Sequence, residues 1–258
     1  MPRDGSGPAG MRRHVRHSDK RLRTHFVTLG AQYFFNRSWG LTVEIPTAQR
    51  LFKTTDDATG KIDSFDHGAL GDVRIEGVYT GFSPDMSTGV TFGVKLPSGD
   101  YTYPNFDRDT EIGSGSTDSL LGAYHLGTID LDALAPGRVL GWFVQTRWQR
   151  AFFTRGGYRP GDELDSAAGL TYDFGRLGPV DEVAPVLELV NSERWKDSGR
   201  AADPPNTGFS RILIAPGFEV GTGSVRVFAD IGFPAYMDMR GNQLVSRVFP
   251  KLLVSYMF

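Results

Sequence analysis

The 258-residue sequence contains no cysteine, which excludes disulfides, thiol catalysis and cysteine metal sites. It has no excess of positive charge, because the formal net charge is -2. That near-neutral balance argues against nucleic-acid binding through a positively charged surface. No apolar run approaches the roughly 18 to 20 residues that a membrane-spanning helix requires. The chain is therefore neither a helical membrane protein nor a basic nucleic-acid-binding domain.

The sequence is instead rich in glycine, with 32 residues, and in aromatic residues, at 12%. Its dominant pattern is an alternation of apolar and polar residues with a period of two, which predicts β-strands separated by turns. Most strands have ten residues or more, which is long enough for a tilted strand to cross a bilayer, since that requires about 9 to 11 residues. Eleven strands are predicted, at residues 24–36, 38–52, 67–81, 86–97, 117–127, 138–152, 164–175, 182–193, 209–220, 224–237 and 244–258.

Each predicted strand has one apolar and one ionisable face. In GLTVEIPTAQR, one face carries Leu41, Val43 and Ile45, and the other carries Glu44 and Arg50. A soluble β-sandwich shows the same alternation, so the pattern alone leaves both folds open. Aromatic residues near the strand ends and a regular alternation of short and long connections favour a membrane barrel. We therefore predict an all-β fold, an antiparallel transmembrane β-barrel.

The connections also predict an orientation. Outer-membrane barrels have short periplasmic turns and long external loops, and with this rule Phe258 lies in the periplasm. Counting back through eleven strands puts residue 24 at the external end, whereas bacterial barrels have an even number of strands. We expect a twelve-stranded barrel whose N-terminal strand is missing here, with 1–23 as a disordered segment of the first external loop and 24–258 as the barrel. A gene without an upstream in-frame signal peptide and strand would contradict this expectation.

Three segments carry a resemblance to a known family. They are the hairpin NRSWGLTVEIP, the strand end GVKLPSGD, and the loop exit GSGSTD that leads into LLGAYH. The sequence from residue 24 to 258 resembles the outer-membrane β-barrel family named for the meta-pathway of phenol degradation. The resemblance implies a porin-like barrel in a Gram-negative outer membrane and uptake of small solutes, aromatic or hydrophobic compounds among them. It carries no catalytic motif.

If the apolar faces meet lipid, the ionisable faces line the lumen. Charged rings there would select solutes, while opposite charges on neighbouring strands would pair and brace the barrel. We expect bracing to be the main role of most of these residues, since isolated buried charges are costly. The lumen and selectivity candidates are Glu44, Arg50, Asp72, Arg74, Glu76, Lys95, Arg147, Asp173, Glu188, Arg211, Glu219, Arg226, Asp230, Arg247 and Lys251.

The connection GDYTYPNFDRDTEIGSGSTD combines aromatic and acidic residues. It could fold inward as a constriction, contact a hydrophobic solute, or bind a divalent cation, although its spacing does not match an EF-hand. A solvated external loop is the interpretation that this composition favours. The external-loop candidates are Tyr101, Tyr103, Phe106, Asp107 and Asp109.

Enzyme chemistry has no motif in this sequence. The five histidines lack metal-ligand spacing, and no serine stands in a GxSxG elbow. The glycine turns GSGS at 113–116 and GTGS at 221–224 do not complete a phosphate-binding motif. Some barrel enzymes carry catalytic groups at the rim, where His125 or Asp118 would be the candidates. We predict no enzymatic activity, no catalytic residue, no cofactor and no metal.

Two functions follow from the predicted barrel. One is a channel or uptake protein for small solutes in the bacterial outer membrane, and the other is a plugged, non-conducting barrel that acts through its external loops. A soluble β protein is a third interpretation. The expected partners are outer-membrane lipid, a small-molecule solute and the barrel assembly machinery, and nucleic acid is not among them. The aromatic C-terminal strand, with Tyr256 and Phe258, resembles the signal that this machinery reads.

Overall fold

The computed structural model of the chain describes residues 17–56, 60–104, 106–131 and 139–258. Within these ranges the regular structure is β-strand, apart from one short 3-10 helix at Pro204–Asn206. No helix in the described ranges is long and apolar enough to span a membrane. The strands are β1 His17–Phe34, β2 Trp39–Asp56, β3 Ile62–Leu70, β4 Arg74–Tyr79, β5 Thr88–Lys95, β6 Ser116–Asp130, β7 Val139–Thr154, β8 Glu163–Tyr172, β9 Glu182–Arg194, β10 Phe209–Thr222, β11 Val225–Met239 and β12 Phe249–Tyr256.

The strands form one antiparallel sheet that follows the chain. Its order is β1-β2-β4-β5-β6-β7-β8-β9-β10-β11-β12, and β3 pairs with β2 off this path. The eleven positions correspond to the eleven predicted strands, and the sheet is curled like the wall of a barrel. The predicted all-β, antiparallel barrel class is therefore confirmed.

The strand predicted at 67–81 is broken into β3 and β4. β2 pairs with β4 as far as Glu44 and with β3 from Thr47 onward. Pro46 lies between the two ladders and has no backbone N–H to continue them. Gly71 N donates to Pro46 O at 2.7 Å, which closes the break. The interruption leaves Asp72 outside both strands, with its side chain buried.

Most strand boundaries differ from the prediction by a few residues, and the two edge strands differ at their N-terminal ends. β1 begins at His17, so residues 17–23 of the predicted loop segment are strand and pair with 51–56, whereas 1–16 lie outside the described residues. Residues 17–23 are mostly polar, so the apolar alternation does not predict this extension. Backbone pairing with β2 holds these residues in the strand. β12 begins at Phe249 rather than at 244, because it pairs with β11 only from Val225 to Gly232.

The two edge strands of the sheet run in the same direction. β1 leads into the short turn before β2, and β12 ends on that same side of the sheet. No ladder joins β1 to β12 among the described residues. A cleft of about 880 Å³ separates the two edges, lined by 22–27 and 244–250. One strand of the opposite direction would pair antiparallel with both edges.

The convex face of the sheet is apolar and exposed. Leu29 is 71% exposed and Leu252 is 70% exposed, and large apolar side chains follow on the same face of the strands between them. A contiguous apolar surface of this extent is unfavourable in water and suits lipid. Further members of this band are Leu41, Ile45, Phe92, Leu121, Val144, Leu170, Leu187, Leu189, Ile214, Phe218, Ile231 and Val254.

Aromatic rings gather at the end of the sheet that carries the short turns. Trp39 packs against Tyr79 with ring centroids 4.7 Å apart, and Phe82 lies 5.0 Å from Tyr79. A second pair, Tyr172 and Phe174, lies 4.9 Å apart at the same end. Such a ring of aromatic residues is typical of the interfacial girdle of a membrane barrel.

Candidate functional site

Most predicted lumen residues lie on the concave face. The strand register places them opposite the apolar band: Glu44 pairs with Arg74, and Lys251 pairs with Asp230. The residues that share this face are Glu44, Arg50, Arg74, Glu76, Lys95, Arg147, Glu188, Arg211, Glu219, Arg226, Asp230 and Lys251, and Asp72 reaches it from the break between β3 and β4.

Two predicted lumen residues are placed elsewhere. Asp173 follows the end of β8 in a short turn, is exposed, and accepts a hydrogen bond from Gly175 N at 2.7 Å. Arg247 precedes β12 in a connection and is also exposed. Both predictions assumed longer strands than the structure has. Asp173 and Arg247 were therefore assigned to the inward face of a strand, although neither residue is in a strand.

A buried ion cluster braces the centre of the concave face. Lys95 Nζ on β5 lies 2.7 Å from Asp118 Oδ2 on β6 and 3.6 Å from Asp72 Oδ2. Asp118 is only 1% exposed and also accepts hydrogen bonds from Ser116 Oγ at 2.5 Å and Gln149 Nε2 at 2.7 Å. A charge group at this depth is stable only because it is paired and hydrogen-bonded.

Two similar groups lie on the last four strands. Lys251 Nζ on β12 contacts Asp230 Oδ2 at 2.7 Å and, reaching past β10, Glu188 Oε2 at 2.9 Å. Lys251 can cross β10 there because Ala215 and Gly217 face it.

In the second group Arg226 pairs with Glu182 and, at 3.2 Å, with Glu219. Each of these two groups therefore consists of one base and two carboxylates, of which one lies on the neighbouring strand and the other on a strand further along the sheet.

A cavity of about 500 Å³ opens on the concave face between β1 and β9. Its ionisable lining includes Glu44, Glu76, Asp165 and Arg147, among neutral amide and hydroxyl side chains. Arg147 lies 3.6 Å from Glu76, and Arg74 lies 3.5 Å from Glu44. This is the open polar space that a solute pathway requires.

The connection from β5 to β6 folds over the concave face. We name residues 96–115 the inner loop. Asp72 fixes its two ends, because its carboxylate accepts hydrogen bonds from Gly99 N at 3.0 Å and Ser114 N at 2.8 Å. Arg50, which projects from β2, donates to Thr110 O. The interpretation as a solvated external loop is therefore corrected.

Glycines permit the close approach at the base of the inner loop. A Cβ atom on Gly113 would lie 2.7 Å from the Gly99 Cα, and one on Gly99 would lie 2.9 Å from the Gly71 carbonyl carbon. Three backbone segments therefore meet where no side chain fits.

Aromatic rings attach the middle of the inner loop to β2 and β3. The His67 ring stacks on Tyr103 at 3.9 Å, and Phe106 lies 6.0 Å from Phe52 and 5.9 Å from His67. His67 Nε2 is also 2.9 Å from Asp100 Oδ2. Tyr103 and Phe106 thus face the concave side, whereas Asp107 and Asp109 are exposed.

Arg108 connects the inner loop to the opposite wall. Its guanidinium lies 4.9 Å from the ring centroid of Tyr101 and 4.7 Å from that of Tyr158, in the connection after β7. Tyr158 is buried and donates to Asp197 Oδ2 at 2.5 Å. The inner loop therefore crosses the concave face from β2 and β3 to the connections that follow β7 and β9.

Glu111 gives the inner loop a pH dependence. Burial raises the pKa of Glu111 from 4.5 to about 7. A carboxyl group with a raised folded pKa stabilises the folded state fully below its unfolded pKa, and this contribution is lost as the pH rises toward the folded pKa. We expect the loop to be held most firmly below about pH 4.5 and to loosen between pH 4.5 and about 7.

The absence of native cysteine allows this to be measured with a nitroxide on an Asp107→Cys variant. Its mobility should increase over that pH range, and Glu111→Gln should remove the change. His67 also contacts the loop. If the nitroxide mobility of the Glu111→Gln variant still changes with pH, a group other than Glu111 causes the change.

Sequence reasoning missed several residues of this arrangement. Arg108, Glu111, Tyr158 and Asp197 were not among the candidates, although Arg108 and Glu111 belong to the loop that was singled out. Asp118 was considered only as a catalytic candidate at the rim. Its position on the inward face of the predicted strand 117–127 could have indicated its ion pair with Lys95.

The two rim candidates do not form a catalytic pair. Asp118 is bound to Lys95 on the concave face, whereas His125 lies on the convex face with Nδ1 2.8 Å from Thr88 Oγ1. Among the described residues, no group of three or more His, Asp or Glu is placed to hold a metal ion.

Comparison with known proteins agrees with this architecture. No protein-family model matches the sequence, and no curated protein matches it. The structure is similar to the crystal structure of the COG4313 outer membrane channel from Pseudomonas putida F1, with a TM-score of 0.57 and 12% sequence identity. The match covers 90% of this chain and 82% of the channel. The chain therefore has the fold of an outer membrane channel.

Proposed function

We propose that the protein is a channel of the bacterial outer membrane that admits small solutes through a pathway narrowed by the inner loop. The observation that carries the proposal is the combination of an apolar convex face with a charged concave face that holds an open cavity of about 500 Å³. A sheet with these two faces separates lipid from a polar pathway. The fold shared with an outer membrane channel supports the same function.

The proposal extends to family and partners. The segments GVKLPSGD and NRSWGLTVEIP support membership of the phenol meta-pathway family, and the solute class follows from that resemblance. Lipid is the partner of the convex face. The C-terminal strand supports recognition by the barrel assembly machinery, because Tyr256 is 69% exposed and Phe258 is 96% exposed.

Conductance in planar bilayers tests the proposal. Refolded protein, checked for strand content and for heat-dependent gel mobility, should give discrete current steps. The same preparation denatured by heat before addition should give none. Folded barrels that leave the bilayer silent would contradict the channel and support the plugged barrel, which the inner loop across the concave face would explain.

A further inference from the structure

We propose that the pathway selects cations over anions, and that Asp165 and Glu44 contribute to this selectivity. The inference rests on the proposed channel function and adds the charge of the permeant solute. It is drawn from two independent features of the concave face, the lining of the cavity and the composition of the ion groups around it.

The cavity lining carries an excess of negative charge. Three carboxylates, of Glu44, Glu76 and Asp165, line the cavity together with one guanidinium, that of Arg147. Arg147 is the strand partner of Asp165 in the ladder, but its ion pair is with Glu76 at 3.6 Å. Asp165 makes no ion pair within 4.0 Å in the described parts of the chain, although its charge interacts with that of Arg211, which lies two strands away and does not line the cavity. Even when Arg74, which pairs with Glu44, is included, the carboxylates are in excess.

Glu76 directs its charge into this cavity. Only 6% of the Glu76 surface is exposed, and Glu76 is one of the residues that line the open space. Because the surrounding wall is protein, the field of such a carboxylate is focused into the cavity rather than screened by bulk water. The long contact to Arg147 leaves part of that field uncompensated.

The ion groups on the rest of the concave face have the same sign. Lys95 lies between Asp72 and Asp118, and Lys251 lies between Glu188 and Asp230. Arg226 lies between Glu182 and Glu219. With all members ionised, each group of one base and two acids has a formal charge of one negative unit. Arg50 and Arg211 add positive charge elsewhere on this face. The potential therefore favours a cation and repels an anion at the three ion groups and at the cavity lining.

The reversal potential in a KCl gradient measures this preference. We expect the wild-type channel to favour K⁺ over Cl⁻ by about three- to tenfold, the effect of a net unit charge at a few ångströms in an aqueous pathway. Asp165→Asn should lower this ratio, and the Asp165→Asn/Glu44→Gln double variant should lower it further. Asp173→Asn is the control, because that carboxylate lies in an exposed short turn away from the cavity.

Each outcome has a defined meaning. A conducting channel with no preference, or with a preference for Cl⁻, overturns the inference and leaves the channel function intact. An unchanged ratio in the double variant overturns the assignment to Asp165 and Glu44. A silent bilayer from folded protein overturns the channel function and the selectivity with it.

Discussion

Replacing residues 101–112 of the inner loop by a short glycine–serine linker is expected to raise the single-channel conductance several-fold. The loop crosses the concave face from Arg50 and His67 on one side to Tyr158 on the other. It therefore occupies cross-section through which ions would otherwise pass. The linker is short because the flanking residues already meet, with Gly113 N donating to Asp100 O at 2.6 Å.

A matched control separates constriction from a general disturbance of the barrel. Asp107→Asn changes an exposed side chain of the same loop and should leave the conductance unchanged. Both variants should retain the heat-dependent gel mobility of the wild type. Equal conductance of the linker variant and the wild type would show that the inner loop does not limit the pathway.

Lys95→Met is expected to lower the free energy of unfolding by about 3 to 5 kcal/mol, because it leaves buried carboxylates without their counter-charge. Asp118 is 1% exposed and Asp72 is 8% exposed, so water cannot replace the ammonium group. Methionine has a similar length, which keeps the packing loss small. Urea unfolding in lipid vesicles, followed by tryptophan fluorescence, measures the change.

The comparison variant for this experiment is Arg176→Met. Arg176 pairs with Asp181 at 2.5 Å in an exposed turn, so the loss should stay below about 1 kcal/mol. The triple variant Lys95→Met/Asp72→Asn/Asp118→Asn should recover most of the stability, since it removes the unpaired charges. Similar losses for Lys95→Met and Arg176→Met would refute the role of burial.

The strands could be predicted because a sheet with one apolar face and one polar face imposes the period of two on the sequence. In β2 this pattern correctly separates Leu41 from Glu44. It could not show the extension of β1 to His17, because residues 17–23 are polar apart from Leu22. The break between β3 and β4 had a visible signal in Pro46, whose missing N–H faces the interrupted ladder.

The sequence predicted which side chains share the concave face, but it did not predict which of them contact one another. Parity placed Glu188 and Lys251 inward, but their contact required the register that brings small residues of β10 between them. The position of the inner loop depends on Asp72 and Arg50, which lie about forty or more residues before Ser114 and Thr110. Composition describes a loop as polar and cannot identify such distant partners.

The common direction of β1 and β12 has a consequence for assembly. Two copies inserted with the same orientation would present edges of the same polarity, so any seam between them would be parallel. Such a ladder is less favourable per residue than an antiparallel one. Backbone direction alone therefore favours pairing of the two edges with a strand of the opposite direction. It disfavours the joining of two open sheets, whatever their side chains.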